Sequence, residues 1–177
     1  GKKVITVDCD LRHGARKWTR QTDTKKTPGL ADFLVGKAEV DDVIGVDAAT
    51  GLHHIGSGDT RSAIDAPILL ESGKMRALLR ALSEMYDMVI LDTPPVRLFP
   101  DALVLQHEVD KVLFLVRWAK TRREIALDAL KSMVQTGLLH PIVGLTQVDS
   151  RKVERYEYAA RVPHRYGEDN PARREAA

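Results

Sequence analysis

The chain has a single cysteine, and aromatic residues make up only 5% of it. One cysteine excludes an internal disulfide, which is typical of proteins from a reducing compartment. No apolar run approaches the roughly 20 residues that a membrane-spanning helix needs. The sequence opens on Gly1-Lys2-Lys3 without a signal-peptide pattern and without an initiator methionine. We therefore expect it to be a piece of a longer protein.

The composition is that of an ordinary soluble domain. The 177 residues are 44% hydrophobic and 29% charged, with a formal net charge of +2. This length is enough for one well-formed hydrophobic core. The net charge is too small to indicate nucleic-acid binding.

Two apolar runs end in carboxylates. Residues 4–7 lead into Asp8 and Asp10, and residues 88–91 lead into Asp92, which a proline pair follows. The run 88–91 is unbroken and the run 4–7 is interrupted only by Thr6, and such runs predict strands that are buried on both faces of a parallel sheet. Because ligands of open α/β sheets bind at the carboxyl ends of the strands, we expect the three carboxylates at one such edge.

The other elements alternate between helix and strand, which predicts an α/β fold. In chain order they are a helix closed by Gly36 (29–36), a helical turn (40–44), a short strand (52–55), a helix capped by Ser72 (75–85), a short helix (101–109), a third buried strand (111–116), a helix opened by a Thr121–Glu124 capping box (to about 136) and a last strand (142–148). The apolar pattern ends at residue 150. We predict a domain over 1–150 and a flexible, tyrosine-bearing tail over 151–177.

The carboxylates favour a hard cation. No His or Cys cluster lies near them in sequence, so Mg²⁺ is the metal that suits them, and Mg²⁺ usually accompanies a phosphate. The alternative is that each Asp only caps the turn that follows it. That alternative stays open for Asp10, whereas Asp8 and Asp92 favour the ligand role because both end apolar strands. Cys9, between two carboxylates, is expected to be a buried and inert thiol.

The order of these motifs resembles that of the bacterial tyrosine kinases. Residues 7–12, Val-Asp-Cys-Asp-Leu-Arg, resemble the family's second Walker A motif, and residues 90–96, Ile-Leu-Asp-Thr-Pro-Pro-Val, resemble its Walker B segment. The intervening blocks that match in order are 29–36, 72–79, 100–102, and 116–117 with Thr121. The resemblance covers residues 2 to about 150, and the tail resembles the family's autophosphorylated tyrosine cluster.

The resemblance implies a fold, a function and a location. The fold would be a three-layer, P-loop NTPase-like domain with a mostly parallel central sheet. The function would be that of an ATP-dependent protein-tyrosine autokinase, with Mg²⁺, that regulates capsule and exopolysaccharide biosynthesis and chain length. Such kinases are cytoplasmic domains at the inner face of the bacterial membrane. Their partners are a membrane co-polymerase or adaptor segment and further copies of themselves, with no nucleic acid.

The resemblance also implies residue roles. Asp8 would lie against Mg²⁺ and accept the tyrosine proton, Asp10 would assist it, and Asp92 would hold Mg²⁺ through water. Arg12 would contact the nucleotide, and Thr146 stands where the family has an adenine-reading Asn.

The expected phosphate acceptors are the tail tyrosines, whereas a tyrosine beside the central strand should be packed and unmodified. The acceptors would be Tyr156, Tyr158 and Tyr166, and the packed residue Tyr86.

The sequence departs from the family at its start. The family's first Walker A, a Gly-rich loop with Lys and Ser/Thr that cradles phosphate, lies upstream of the first strand and has no match here. We therefore expect an N-terminally truncated sheet that lacks a central member, and weak binding of ATP–Mg²⁺ by this chain alone. Two other functions stay open. One is a non-catalytic remnant or partner domain of the polysaccharide export machinery, and the other is a Walker ATPase similar to MinD or ParA.

Overall fold

The computed structural model describes residues 1–12, 28–59, 65–137 and 141–149. The predicted tail over 151–177, with Tyr156, Tyr158 and Tyr166, lies outside the described residues. Its boundary with the domain therefore stays a prediction.

A four-stranded sheet forms the centre of the better-buried half of the molecule. Its order is β2-β3-β1-β4, with bounds Val4–Asp8 (β1), Ile44–Val46 (β2), His53–Ile55 (β3) and Met88–Asp92 (β4). Strand β1 runs parallel to both β3 and β4, whereas β2 is antiparallel to β3. The mixed α/β fold with mostly parallel strands is as predicted.

Helix α4, Gly73–Met85, covers part of this sheet. The Ser72 hydroxyl accepts a hydrogen bond from the backbone N–H of Met75 at 3.2 Å, so Ser72 is the predicted N-cap. Met75, Leu78 and Leu82 are buried on one face of the helix. They join Ile5 and Val7 of β1 in the main core. The period of the apolar residues alone was sufficient to predict this helix.

Short helices and a close backbone crossing border the same sheet. The helices are α1 (Leu30–Leu34), α2 (Val40–Val43) and α3 (Ala66–Leu70). Gly36 follows α1 with φ +81°, the left-handed conformation expected of a helix-closing glycine. Gly29 packs so closely against the backbone of Gly56 and Gly58 that a side chain would not fit there.

The second half contains a two-stranded parallel sheet. It consists of β5 (Leu113–Arg117) and β6 (Ile142–Thr146). Helix α5, Asp101–Leu105, precedes it, and α6, Arg123–Gln135, connects its two strands. Gly137, at φ +98°, lies just after α6 as predicted. The predicted capping box is wrong, because the N-cap is Arg122 and makes no side-chain capping bond.

The prediction of burial on both faces is wrong for β4 and β5. Met88 and Ile90 are 47% and 45% exposed, and Leu113 and Leu115 are 58% and 57% exposed. Strand β4 is the edge of its sheet, and the described strands form two sheets instead of one. Apolar composition predicts a strand, but burial needs a second surface to cover it.

Two short elements were missed by the sequence pattern. Strand β2 has three residues and follows α2 without a break, so the period-2 signal is too short to read. Helix α3 has five residues with Pro67 in its first turn, and the sequence pattern indicated no helix there. In the part of the chain that the structure describes, no helix is both long and apolar enough to cross a membrane.

Candidate functional site

Asp8 and Asp92 lie directly opposite each other at the carboxyl ends of neighbouring parallel strands. The register of β1 and β4 pairs Val4 with Met88 and ends by pairing Asp8 with Asp92. The ladder continues one step further, because the Cys9 N–H donates to the Asp92 carbonyl oxygen at 2.8 Å. The sequence prediction that these carboxylates share one edge is therefore correct.

The loop after β1 is held by its own aspartates. The Asp10 N–H donates to Asp8 Oδ1 at 3.0 Å, and the Arg12 N–H donates to Asp10 Oδ1 at 3.2 Å. Leu11, between them, is 1% exposed. Asp8 and Asp10 thus each accept a turn-capping bond, the alternative role that the sequence left open for Asp10. A carboxylate has further acceptor sites, so this bond leaves a metal-binding role possible.

Burial opposes the ionisation of Asp8 and Asp92. Desolvation is the main cause that raises the pKa of Asp8, although the N–H of Asp10 and the hydroxyl of Ser57 partly offset it. Desolvation also raises the pKa of Asp92, and the charge of Asp10 adds to the effect. Such shifts in neighbouring carboxylates are typical of functional sites, because a bound cation would relieve them.

Ser57 is a residue of this edge that sequence reasoning missed. It lies in the loop after β3, is 0% exposed, and its hydroxyl is close enough to Asp8 to lower the pKa of that carboxyl. Within the described residues, its Oγ nevertheless makes no hydrogen bond of good geometry. The available signal was the run Gly56-Ser57-Gly58 directly after the predicted strand 52–55, a pattern that equally well does no more than end a strand.

Arg12 is turned toward α5. Its Nη2 lies 3.1 Å from both carboxylate oxygens of Asp101, and its Nε lies 3.2 Å from Oδ2. The guanidinium also lies 4.4 Å from the ring centre of Phe99. The role predicted for Arg12 is contact with the nucleotide; the structure brings this side chain to an acidic partner that the sequence did not single out.

Thr146 lies apart from the carboxylates in the strand order. It ends β6, in the second sheet, and is in register with Arg117 of β5. Its carbonyl oxygen accepts the Trp118 N–H at 3.0 Å. Its predicted role in reading adenine stays a prediction.

Two other groups are packed as predicted, one next to Asp8 and one at the opposite edge of the same sheet. Cys9 is 0% exposed, and burial raises the pKa of its thiol well above the ordinary value. The Tyr86 hydroxyl lies 2.8 Å from His53 Nδ1, and burial raises the pKa of Tyr86. Cys9 follows Asp8 directly, whereas Tyr86 precedes β4 at the amino end of that strand, away from the carboxylate edge.

The donor set fits a magnesium ion held mainly by water and phosphate. Among the described residues, no three His, Cys, Asp or Glu side chains form a ready-made metal site. Mg²⁺ in phosphoryl-transfer sites usually takes only one or two carboxylates and keeps several waters. Asp8 and Asp92 provide two carboxylates at matching positions.

The curated proteins to which this chain is similar are tyrosine-protein kinases. No protein-family model matches the chain. The chain is 33% identical over 137 residues to tyrosine-protein kinase ptk of Acinetobacter johnsonii, a match that covers 77% of this chain and 18% of that protein. It is 28% identical over 138 residues to tyrosine-protein kinase CpsD of Streptococcus agalactiae serotype III, over 77% of this chain and 58% of CpsD. The chain thus spans only part of these relatives.

Comparison with solved structures gives the same result. The VpsO kinase domain superposes with a TM-score of 0.74 at 28% identity, over 84% of this chain and 71% of that one. The kinase domain of the Escherichia coli tyrosine kinase ETK gives 0.71 at 27% identity, over 84% and 58%. The cell-division ATPase MinD of Pyrococcus furiosus, at 22% identity and a TM-score of 0.61, shares the P-loop NTPase-like fold. The chain is a homologue of the kinase domain of the bacterial tyrosine kinases.

Proposed function

We propose that this chain is part of an ATP-dependent protein-tyrosine autokinase that regulates exopolysaccharide or capsule biosynthesis and chain length. The observation that carries the proposal is the pairing of Asp8 with Asp92 at the carboxyl edge of two parallel strands. Homology to bacterial tyrosine kinases supplies the reaction class. Phosphoryl transfer depends chiefly on positioning and charge neutralisation, for which a carboxylate pair beside a metal is suited.

The proposed roles follow from position and charge. Asp8, whose pKa is raised by burial, would orient a tyrosine hydroxyl and accept its proton. Asp10 would assist by holding Asp8 Oδ1 through its backbone N–H. Asp92 would hold Mg²⁺ through water. Arg12 and Thr146 are the proposed nucleotide contacts.

The cosubstrate would be ATP with Mg²⁺. When bound, Mg²⁺ would offset the charge of the phosphates and of the two carboxylates. Asp8 and Asp92 would hold it, in agreement with the desolvation that raises their pKa values.

The proposed setting is the cytoplasmic face of a bacterial membrane. A membrane co-polymerase or adaptor segment would hold the kinase there, and copies of the kinase would present their tails to one another. The acceptors would be Tyr156, Tyr158 and Tyr166. Support comes from homology to the kinases ptk and etk.

The test is to map phosphate on the full-length gene product after incubation with ATP and Mg²⁺. We expect phosphotyrosine at the three tail positions and none at Tyr86, whose hydroxyl is engaged with His53 at 2.8 Å. A variant with all three tail tyrosines changed to Phe should lose the label, and Tyr86→Phe should keep it.

Two outcomes would contradict the proposal. Phosphate on Tyr86 with an unmodified tail would contradict the acceptor assignment. A folded protein that forms no phosphotyrosine would contradict the kinase assignment and favour a non-catalytic partner domain. Release of inorganic phosphate without phosphotyrosine would favour a Walker ATPase instead.

A further inference from the structure

Asp101 is a buried charge with a distant partner. Its side chain is 1% exposed, and its two carboxylate oxygens both contact the guanidinium of Arg12, 89 residues away in sequence. Residue 101 is the first residue of α5. Sequence reasoning attached no chemistry to it.

The physical chemistry of this pair makes it rigid. A buried carboxylate is costly unless a cation with good geometry compensates it, and the fork of an arginine can bind both oxygens at once. The Phe99 ring, 4.4 Å from the guanidinium carbon, adds a cation–π contact. Arg12 is therefore fixed by α5, by Phe99 and, through its N–H, by Asp10.

The pair connects the two loops of the candidate site. Arg12 ends the described part of the loop that follows Asp8, and Asp101 ends the segment that follows Asp92. Both loops leave the sheet at the edge where Asp8 and Asp92 are in register. The ladder of β1 and β4 sets the positions of Asp8 and Asp92, and the Arg12–Asp101 pair joins the two segments that follow them.

We propose that Asp101 is a positioning residue for phosphoryl transfer, because it holds Arg12 and so fixes the loop after β1, where the Asp10 N–H orients the Asp8 carboxylate. This inference rests on the kinase function proposed above. Asp101 acts through Arg12 and does not touch the nucleotide. Loss of the pair should therefore reduce the rate of the chemical step more than the binding of ATP.

The main test is Asp101→Asn in the full-length gene product. Asn has nearly the same shape, but it lacks the charge that compensates Arg12. We expect kcat for autophosphorylation to fall roughly tenfold and the Mg²⁺ concentration for half-maximal rate to rise severalfold, whereas the KM for ATP changes less than about twofold. The control is Asp128→Asn, which removes the exposed Arg97–Asp128 pair at 3.7 Å and should leave all three values unchanged. A folded Asp101→Asn protein whose kcat stays within twofold of the wild type overturns the proposal.

Arg12→Lys provides the second test, and it tests the positioning role of the Arg12–Asp101 pair even if Asp101→Asn does not fold. Lys keeps the positive charge, but it cannot bind both carboxylate oxygens through a rigid fork. A change in kcat that exceeds the change in KM for ATP supports positioning. A change in KM that exceeds the change in kcat indicates that Arg12 acts chiefly through the nucleotide contact proposed above, and not by fixing the loop, and overturns positioning by Asp101. If both variants fold, the double variant should be no slower than the slower single variant, and additive losses overturn the proposal.

Failure of the kinase assignment can be distinguished from failure of this inference. If the wild type forms no phosphotyrosine, amide hydrogen exchange is measured over residues 9–12 and 93–100. Faster exchange of both segments in Asp101→Asn, and of neither in Asp128→Asn, supports the connection between the loops. Unchanged exchange overturns it.

Discussion

Strands β1 and β5 are alike in length and apolar character but have different surroundings. Both have five residues and are mostly apolar. In β1, Ile5 and Val7 are 0% exposed, whereas in β5, Leu113 and Leu115 are more than half exposed. Strand β1 has a hydrogen-bonded strand on each side, but β5 pairs only with β6 among the described strands.

The difference shows that the two halves of the molecule depend on their apolar residues to different extents. Around β1, burial of apolar side chains supplies the free energy that holds the carboxylate edge in place. Exposed apolar faces on β4, β5 and β6 contribute little to stability within the described residues, and contiguous patches of this kind favour association. The predictions that follow test this contrast.

The largest effect is expected from a lysine in each strand. Val7→Lys would bury an ammonium group in the core next to Asp8, and we expect loss of more than about 4 kcal/mol in the free energy of unfolding, enough to prevent folding. Leu115→Lys places the charge on an exposed face and should change stability by no more than about 0.5 kcal/mol. Urea denaturation monitored by circular dichroism measures both. Equal losses in the two variants would show that the contrast between the strands is wrong.

Glycine substitutions should give an intermediate effect. Gly58 has φ +76°, and a Cβ there would lie 2.7 Å from the Gly29 nitrogen. We expect Gly58→Ala to cost about 2–4 kcal/mol through strain and crowding combined. Gly51 has a similar φ of +70° with nothing within 4 Å of a Cβ, so Gly51→Ala isolates the strain and should cost about 1 kcal/mol.

Gly73→Ala is the control for both variants. It lies at the start of α4 without a positive φ, and its Cβ would only approach Arg76. It should be neutral or slightly stabilising. If thermal unfolding shows that Gly51→Ala loses as much stability as Gly58→Ala or more, the close approach of Gly29 to Gly58 is not important for stability.

The smallest effect on stability is expected from neutralising Asp8, whose buried carboxylate destabilises the fold. The pKa of Asp8 is raised in the folded state, so the folded protein binds more protons than the unfolded one as the pH falls toward the ordinary value of 3.8. Stability therefore falls as the pH rises through that window and stays lower above it. Asp8→Asn removes this penalty while its Oδ1 can still accept the Asp10 N–H. We expect its Tm at pH 7 to rise by roughly 2 °C, with a gain that shrinks toward pH 4.

Asp47→Asn should behave in the opposite way. Hydrogen bonds from Thr50 lower the pKa of Asp47, so its ionised form contributes stability that is lost as the pH falls. The variant should be less stable than the wild type at pH 7, and the two should converge at low pH. Thermal scans between about pH 2 and pH 7 measure both signs, because the contribution of Asp47 is lost only below its ordinary pKa of 3.8. A lower Tm for Asp8→Asn at pH 7 would contradict a destabilising burial of Asp8.

The sequence could predict those features that depend on residues close together in the chain. Helix α4 and its cap at Ser72 were predictable because the pattern and the capping bond are local. The edge with Asp8 and Asp92 was predictable because strand ends are visible in sequence and parallel strands meet at a common edge. Burial of β4 was mispredicted because it depends on a covering surface that the strand's own residues do not specify.

Asp101 and Ser57 were missed for a related reason. The partner of Asp101 is 89 residues away, and Ser57 belongs to the site only because β3 pairs with β1. An aspartate after a proline and a serine between glycines are common in loops. Only the folded arrangement gives them chemical meaning.

The most direct measurement of the central claim is the autophosphorylation rate of the full-length gene product with Asp8→Asn and with Asp92→Asn. The account predicts that each variant loses at least about tenfold in rate, equivalent to about 1.4 kcal/mol in the barrier, with a smaller loss for Asp10→Asn and none for Asp47→Asn. Wild-type rates in folded Asp8→Asn and Asp92→Asn proteins would contradict the assignment of this edge as the phosphoryl-transfer site.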